Sequence, residues 1–182
     1  AEQIMLPAED ILLPAAKALP AVVAVRLPGG ATHFIVVWQR YGPFVQAMDP
    51  ASGRYWTTCR ALTKRLFVHT TPVPRSAWRA WAGSEDAVAI FEQRLEALGI
   101  SIKRVLAPAL ADRSWKGIAV VDAAARAVQA MIDANACRPG ASATAVFDGL
   151  LTSEREGMQG IPEGYWSVRP TTKDTPRDAV EE

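Results

Sequence analysis

Histidine and cysteine are scarce in this chain: its 182 residues hold two of each, His33 and His69, Cys59 and Cys137. The cysteine spacing fits no paired-cysteine zinc pattern, and no HExxH helix occurs to hold a metal-bound water. No metal or other cofactor is therefore expected in this segment. Long apolar runs are also missing; the densest, Pro20 to Val25, has the length of a strand, against the ~20 residues a membrane helix needs. Charge of one sign is not in excess either, with 20 Lys and Arg against 19 Asp and Glu and a formal net charge of +1. With its basic residues scattered, the chain is not expected to bind nucleic acid. The start, Ala-Glu-Gln-Ile-Met, lacks a basic region followed by an apolar one and lacks an initiator methionine, so a processed or excised segment without a signal peptide is expected. The GxSxG elbow of serine hydrolases does not occur. The two thiols are expected to be reduced and structural, in a cytosolic setting.

What remains is the balance of a globular protein, 49% hydrophobic and 21% charged. Composition turns at Pro72-Val73-Pro74, from short β-branched and aromatic runs to alanine-rich segments with helical spacing. The expected fold class is α+β: a small antiparallel sheet over residues 1–71, a helical region over 75–155, and an extended or disordered tail over 156–182. The first segment, punctuated by Pro7, Pro14 and Pro20, reads as extended chain with at most one helical turn. Strands are expected at PAVVAVRL, Thr32 to Gln39, Pro43 to Met48, RYWTT and Phe67 to His69, with a short helix from about Arg60 to Arg65. Beyond the prolines, Ser76 is placed to cap a helix holding Trp78 and Trp81. Ser84 caps a second that Gly99 stops. A third runs from about Ser114 to Asn135, with Asp122 set to pair with Arg126 one turn on, and a fourth follows Gly140.

The chemistry concentrates in residues 32–53, THFIVVWQRYGPFVQAMDPASG. Two alternating runs flank Arg40-Tyr41-Gly42, which predicts a hairpin with a three-residue loop and Gly42 at positive φ. That loop sets Gln39 across from Pro43 and, counting outwards, His33 across from Asp49. Directly opposed residues share a face of the sheet, so a carboxylate would accept from an imidazole N–H and leave the second ring nitrogen free for a nucleophile. A one-residue slip would undo this by turning one side chain to the other face. A local role is open as well, since Asp before Pro is a common turn former. His69 has no acid placed by an equivalent argument. The pair lacks a nucleophile: Cys59, at a helix start, is the only thiol with a plausible setting, and nothing in the spacing aims it at His33.

LPAVVAVRLPGGATHFIVVW followed by VQAMDPASGRYW resembles the papain-like cysteine peptidase domain at the N-terminus of bacterial ABC exporters, which trims double-glycine leaders from bacteriocins and related peptides. The resemblance spans roughly residues 1–71. It implies half of a papain-like fold, with His33 similar to the general base and Asp49 to its orienting acid. It also implies that the nucleophilic cysteine and the oxyanion glutamine sit on an N-terminal segment preceding the first strand, so this segment alone is expected to be inert. Neither Cys59 nor Cys137 matches the family's nucleophile. The segments VPRSAWRAWAG and IPEGYWSVRP look like the region that leads from the peptidase towards the first membrane helix in some long exporters. The implied partners are the leader peptide of an exported substrate, the missing peptidase segment, and the transmembrane and ATP-binding parts of a parent transporter. The implied place is the cytoplasmic face of the inner membrane. An inactive peptidase-like domain that only holds leader peptides is the alternative. Trp78, Trp81, Trp115, Tyr165 and Trp166 stand as core residues or partner-facing anchors.

Overall fold

The computed structural model describes residues 6–170 and 179–181. It divides into two compact units, Ala1–His69 and Thr70–Glu182. The first is a four-stranded antiparallel meander, β1 (Ala21–Arg26), β2 (Thr32–Tyr41), β3 (Phe44–Asp49) and β4 (Gly53–Thr58), in that spatial order. Two 3₁₀ turns, Asp10–Leu12 and Pro14–Ala16, precede it and α1 (Cys59–Arg65) follows. The alternation of the strands makes one face apolar and closed: Val23, Val25, Ile35, Val37, Val45 and Ala47 are buried there, with Leu12, Leu62 and Leu66 in the same cluster. Arg40 ties the first turn to this side through its bond to the Leu12 carbonyl at 3.1 Å. Thr58 caps α1 by accepting from the Ala61 N–H. Among the described residues no strand runs over Phe67 to His69. Leu66 makes a single bridge to Val25 and the Phe67 N–H bonds to the Ala24 carbonyl, after which the chain leaves the sheet.

The hairpin differs from the expected one. β2 and β3 extend to Tyr41 and Phe44, so the turn is two residues, Gly42-Pro43, with Gly42 at φ 57°. The register then shifts at Trp38, the extra residue of a β-bulge between Val37 and Gln39. The tight turn alone would have put Asp49 on the face opposite to His33. The bulge moves the register by one more residue and restores their common side.

The second unit is helical: α2 (Arg75–Ala82), α3 (Glu85–Leu98), α4 (Ile102–Ala111), α5 (Lys116–Asp133) and α6 (Ala141–Arg155). Short strands β5 (Pro72–Pro74), β6 (Arg169–Pro170) and β7 (Ala179–Glu181) form a small sheet. The expected extended or disordered tail is therefore partly folded: Glu163–Tyr165 makes a 3₁₀ turn, Ile161 and Val168 are buried in the helical core, and only residues 171–178 and 182 of it lie outside the described residues. Ser84 caps α3 by accepting from Ala87, and Gly99 ends it at φ 72°. Pro74, not Ser76, sits at the α2 N-cap; Ser76 lies inside the helix. α4 is not among the four helices expected. Its Pro108 reads as a breaker and cannot donate to the Arg104 carbonyl one turn back, but Val105, Leu106 and Ala109 give the helix a buried face that offsets the lost bond.

α5 runs through the centre of this unit, with Ile118, Ala123, Ala124 and Val128 fully or almost fully buried. Trp78 and Trp115 meet edge to face at 6.4 Å inside the core, and Trp81, Tyr165 and Trp166 pack against it. Trp78 and Trp115 are core residues, and the other three are partly buried at the core margin. Gly99 is required twice over, by its positive φ and by space: a Cβ there would stand 2.7 Å from the Gly140 nitrogen. Gly99→Ala is expected to cost the helical unit about 1–3 kcal/mol, measured as a lower urea midpoint at unchanged slope. A loss below half a kilocalorie, on the order of ordinary surface substitutions, would count against this packing.

Candidate functional site

His33 lies near the start of β2 and Asp49 ends β3, at the open end of the hairpin, both on the closed face of the sheet. Continuing the observed register outwards from Val36 and Met48 brings Asp49 opposite Ile35, with His33 one diagonal step away. Diagonal neighbours are about 7–8 Å apart at the backbone, within reach of an imidazole and a carboxylate. His33 Nε2 and Asp49 Oδ1 are 3.0 Å apart, and the side chains are 28% and 17% exposed. The expected contact therefore forms, by a diagonal rather than a direct opposition.

The local role of Asp49 is realised too. The same Oδ1 accepts the Ala51 N–H at 2.7 Å, an Asx turn at the DPASG corner. That bond first, and His33 second, hold the Asp49 carboxyl below its ordinary value of 3.8. An ionised carboxylate only accepts, so Nε2 must donate, which assigns Nδ1 as the basic nitrogen of the neutral ring. Opposite Asp49 stands Gly53, whose missing side chain leaves open space beside the pair. Nitrogen-15 NMR of the neutral protein is expected to show His33 in the Nε2–H tautomer, and Asp49→Ala to return it toward the mixture of a free imidazole. An Nδ1–H ring in the unchanged protein would refute the assignment.

Cys59 does not join this site. Its N–H bonds the Pro43 carbonyl at 2.8 Å and its Sγ lies 3.6 Å from the Gly42 oxygen, so it sits beside the hairpin turn. The strand from Phe44 to Asp49 separates it from the pair, a distance of about 17 Å at some 3.4 Å per residue. Cys137 lies in the helical unit and His69 is exposed at the end of the first. Among the described residues no group of three His, Cys, Asp or Glu side chains is arranged to hold a metal ion, and no helix is long and apolar enough to cross a membrane.

Sequence reasoning missed the second ionic centre. Asp122, on α5, is buried and bonds Arg94 of α3, Arg126 one turn on and the Ser167 hydroxyl. The Arg126 contact is visible in the spacing of the two residues; Arg94 and Ser167 arrive through tertiary packing and leave no local trace.

Compared with known proteins, the chain matches no family model, no curated protein and no solved structure. What stands on geometry is an α+β chain that holds an oriented His–Asp pair on a sheet.

Proposed function

We propose that the first unit supplies the base and orienting acid of a cysteine peptidase acting on double-glycine leader peptides, as part of a peptidase-containing exporter at the cytoplasmic face of the inner membrane. The observation that carries the reading is the 3.0 Å contact from His33 Nε2 to Asp49 Oδ1, with both groups partly open to solvent. An imidazole fixed in this way takes a thiol proton at Nδ1, and the thiolate attacks the carbonyl carbon of the second glycine; the imidazolium returns the proton to the leaving amine as the peptide bond breaks, and water then hydrolyses the thioester. Asp49 then stabilises the imidazolium and keeps the ring in position. The likeness of the LPA strand, the HF run and the DPASG corner to the leader peptidases adds to this reading.

The thiol must come from outside this segment, because Cys59 adjoins the far end of the hairpin. That placement also favours a second role for the 182-residue chain taken alone, which is to hold a leader without cutting it. One experiment separates the two. A double-glycine leader peptide is incubated with this chain, and separately with the parent polypeptide, and the products are analysed by mass spectrometry. Cleavage after the glycine pair by the parent and none by the chain is the expected result. A parent that binds the leader and leaves it whole supports holding only, and cleavage by the isolated chain after Cys59→Ala would overturn the assignment of the nucleophile.

A further inference from the structure

The face of the sheet turned away from the His–Asp pair is apolar and uncovered. Phe34, Trp38, Tyr41, Phe44 and Trp56 are each half exposed or more, and Val22 at the β1 edge is 70% exposed. An aromatic side chain carries about 150–250 Å² of surface, so these groups together leave on the order of 600–700 Å² of exposed surface on this face. That approaches the ~800 Å² that each partner contributes to a stable interface, and it exceeds the few hundred Å² usual for a monomer.

The charges on this face are ordered. Among the described residues its strands carry no carboxylate, and its cations are Arg26 and Arg54. Both stand at the end where β1 finishes and β4 begins, Arg26 paired with Thr32 and Arg54 with Met48. Three of the aromatics gather at the hairpin end, where Tyr41 faces Phe44 and lies 5.4 Å from Trp56, while Phe34 stands at the arginine end opposite Ala24. A hollow between Trp38, Gln46, Met48 and Arg54 lies between the two ends.

From this polarity we infer that the face is the interface of a symmetric dimer of this chain. A two-fold axis across the strands lays the arginine end of one copy on the aromatic end of the other, so that Arg54 meets ring faces and not its own copy, while Arg26 stays over the Phe67 ring of its own chain at 5.2 Å. The two sheets then stack as a sandwich with aligned strands, about 10 Å apart. His33 and Asp49 point away from the interface, so dimerisation leaves the pair accessible and does not depend on its chemistry.

Sedimentation velocity of the full chain over a concentration series tests this. The unchanged protein is expected to run as a dimer, and F34S/W56S as a monomer with unchanged circular dichroism. Val22→Glu, at an edge position already exposed, gives a second variant that keeps its fold; it is expected to raise the dimer dissociation constant about tenfold or more. Arg54→Glu is expected to weaken the dimer as well, because it removes a cation from the facing rings. A monomeric unchanged protein, open-ended growth past the dimer, or a dimer indifferent to these variants would overturn the inference.

Discussion

Asp122→Ala is expected to destabilise the helical unit by about 3–5 kcal/mol. The carboxylate is 2% exposed and is shared by two guanidinium groups and the Ser167 hydroxyl. Removing it leaves two cations crowded in a low-dielectric core. Equilibrium urea unfolding measures the loss, and Ser167→Ala, which removes one bond to a charged group, is expected to cost about 1.5–3 kcal/mol at most. The asymmetry of buried ion pairs provides the control. Replacing Arg94, Asp122 and Arg126 together with apolar residues of similar volume should recover much of the loss, because all three charges of the centre are then removed. A cost below about 1 kcal/mol for Asp122→Ala would show that the centre is not dry.

The same centre sets an acid limit. Burial pushes the Asp122 carboxyl up, but Arg126 and Arg94, helped by Ser167, outweigh it and hold the group below its ordinary 3.8. A folded-state value below the unfolded one means that the stabilisation is complete above pH about 4 and drains away as the pH falls through the folded value. Asp49 and Asp112 are lowered as well, by the Ala51 and Ser114 N–H groups first, and act with the same sign. Unfolding of the Asp122→Ala protein should therefore depend less on pH below 4 than that of the unchanged protein.

The second large effect is catalytic and rests on the proposed peptidase. In a parent polypeptide that cleaves leader peptides, His33→Ala is expected to lower kcat by about 10²–10⁴, the usual contribution of a general base. Asp49→Asn keeps the shape of the side chain but presents an amide that no longer selects the tautomer. Its loss should lie mainly in kcat with little change in KM, the pattern of a group that acts only in the transition state. An unchanged kcat in the His33 variant would end the peptidase reading and leave the dimer interface untouched, because that lies on the other face of the sheet.

Much of this architecture is written in short-range chemistry. The Ser84 cap, the Gly99 stop and the Asp122–Arg126 spacing act within a few residues, and each is found where the residues indicate. The four meander strands follow from alternation and from the PGG and DPASG corners. α4 was hidden because Pro108 reads as a breaker, while the buried face of Val105, Leu106 and Ala109 that offsets its lost bond forms only when the helices pack. The bulge was hidden for a different reason. An added strand residue such as Trp38 has no signature in composition, and only cross-strand packing decides which residue is extruded. The Arg94 and Ser167 contacts span 28 and 45 residues of chain and depend on helices already packed. The His33–Asp49 contact was legible because it depends on parity more than on exact partners.

That dependence makes Trp38 a half-period correction. A strand repeats every two residues, so each one-residue error in turn length must be matched by a second somewhere along the same ladder. Trp38 supplies the match for the tight Gly42-Pro43 corner. At fixed sequence, drawing one more strand residue into that corner while flattening the strand would preserve the imidazole–carboxylate contact. Either change by itself would send Asp49 out among the aromatics of the opposite surface, disabling one side of the sheet and spoiling the other.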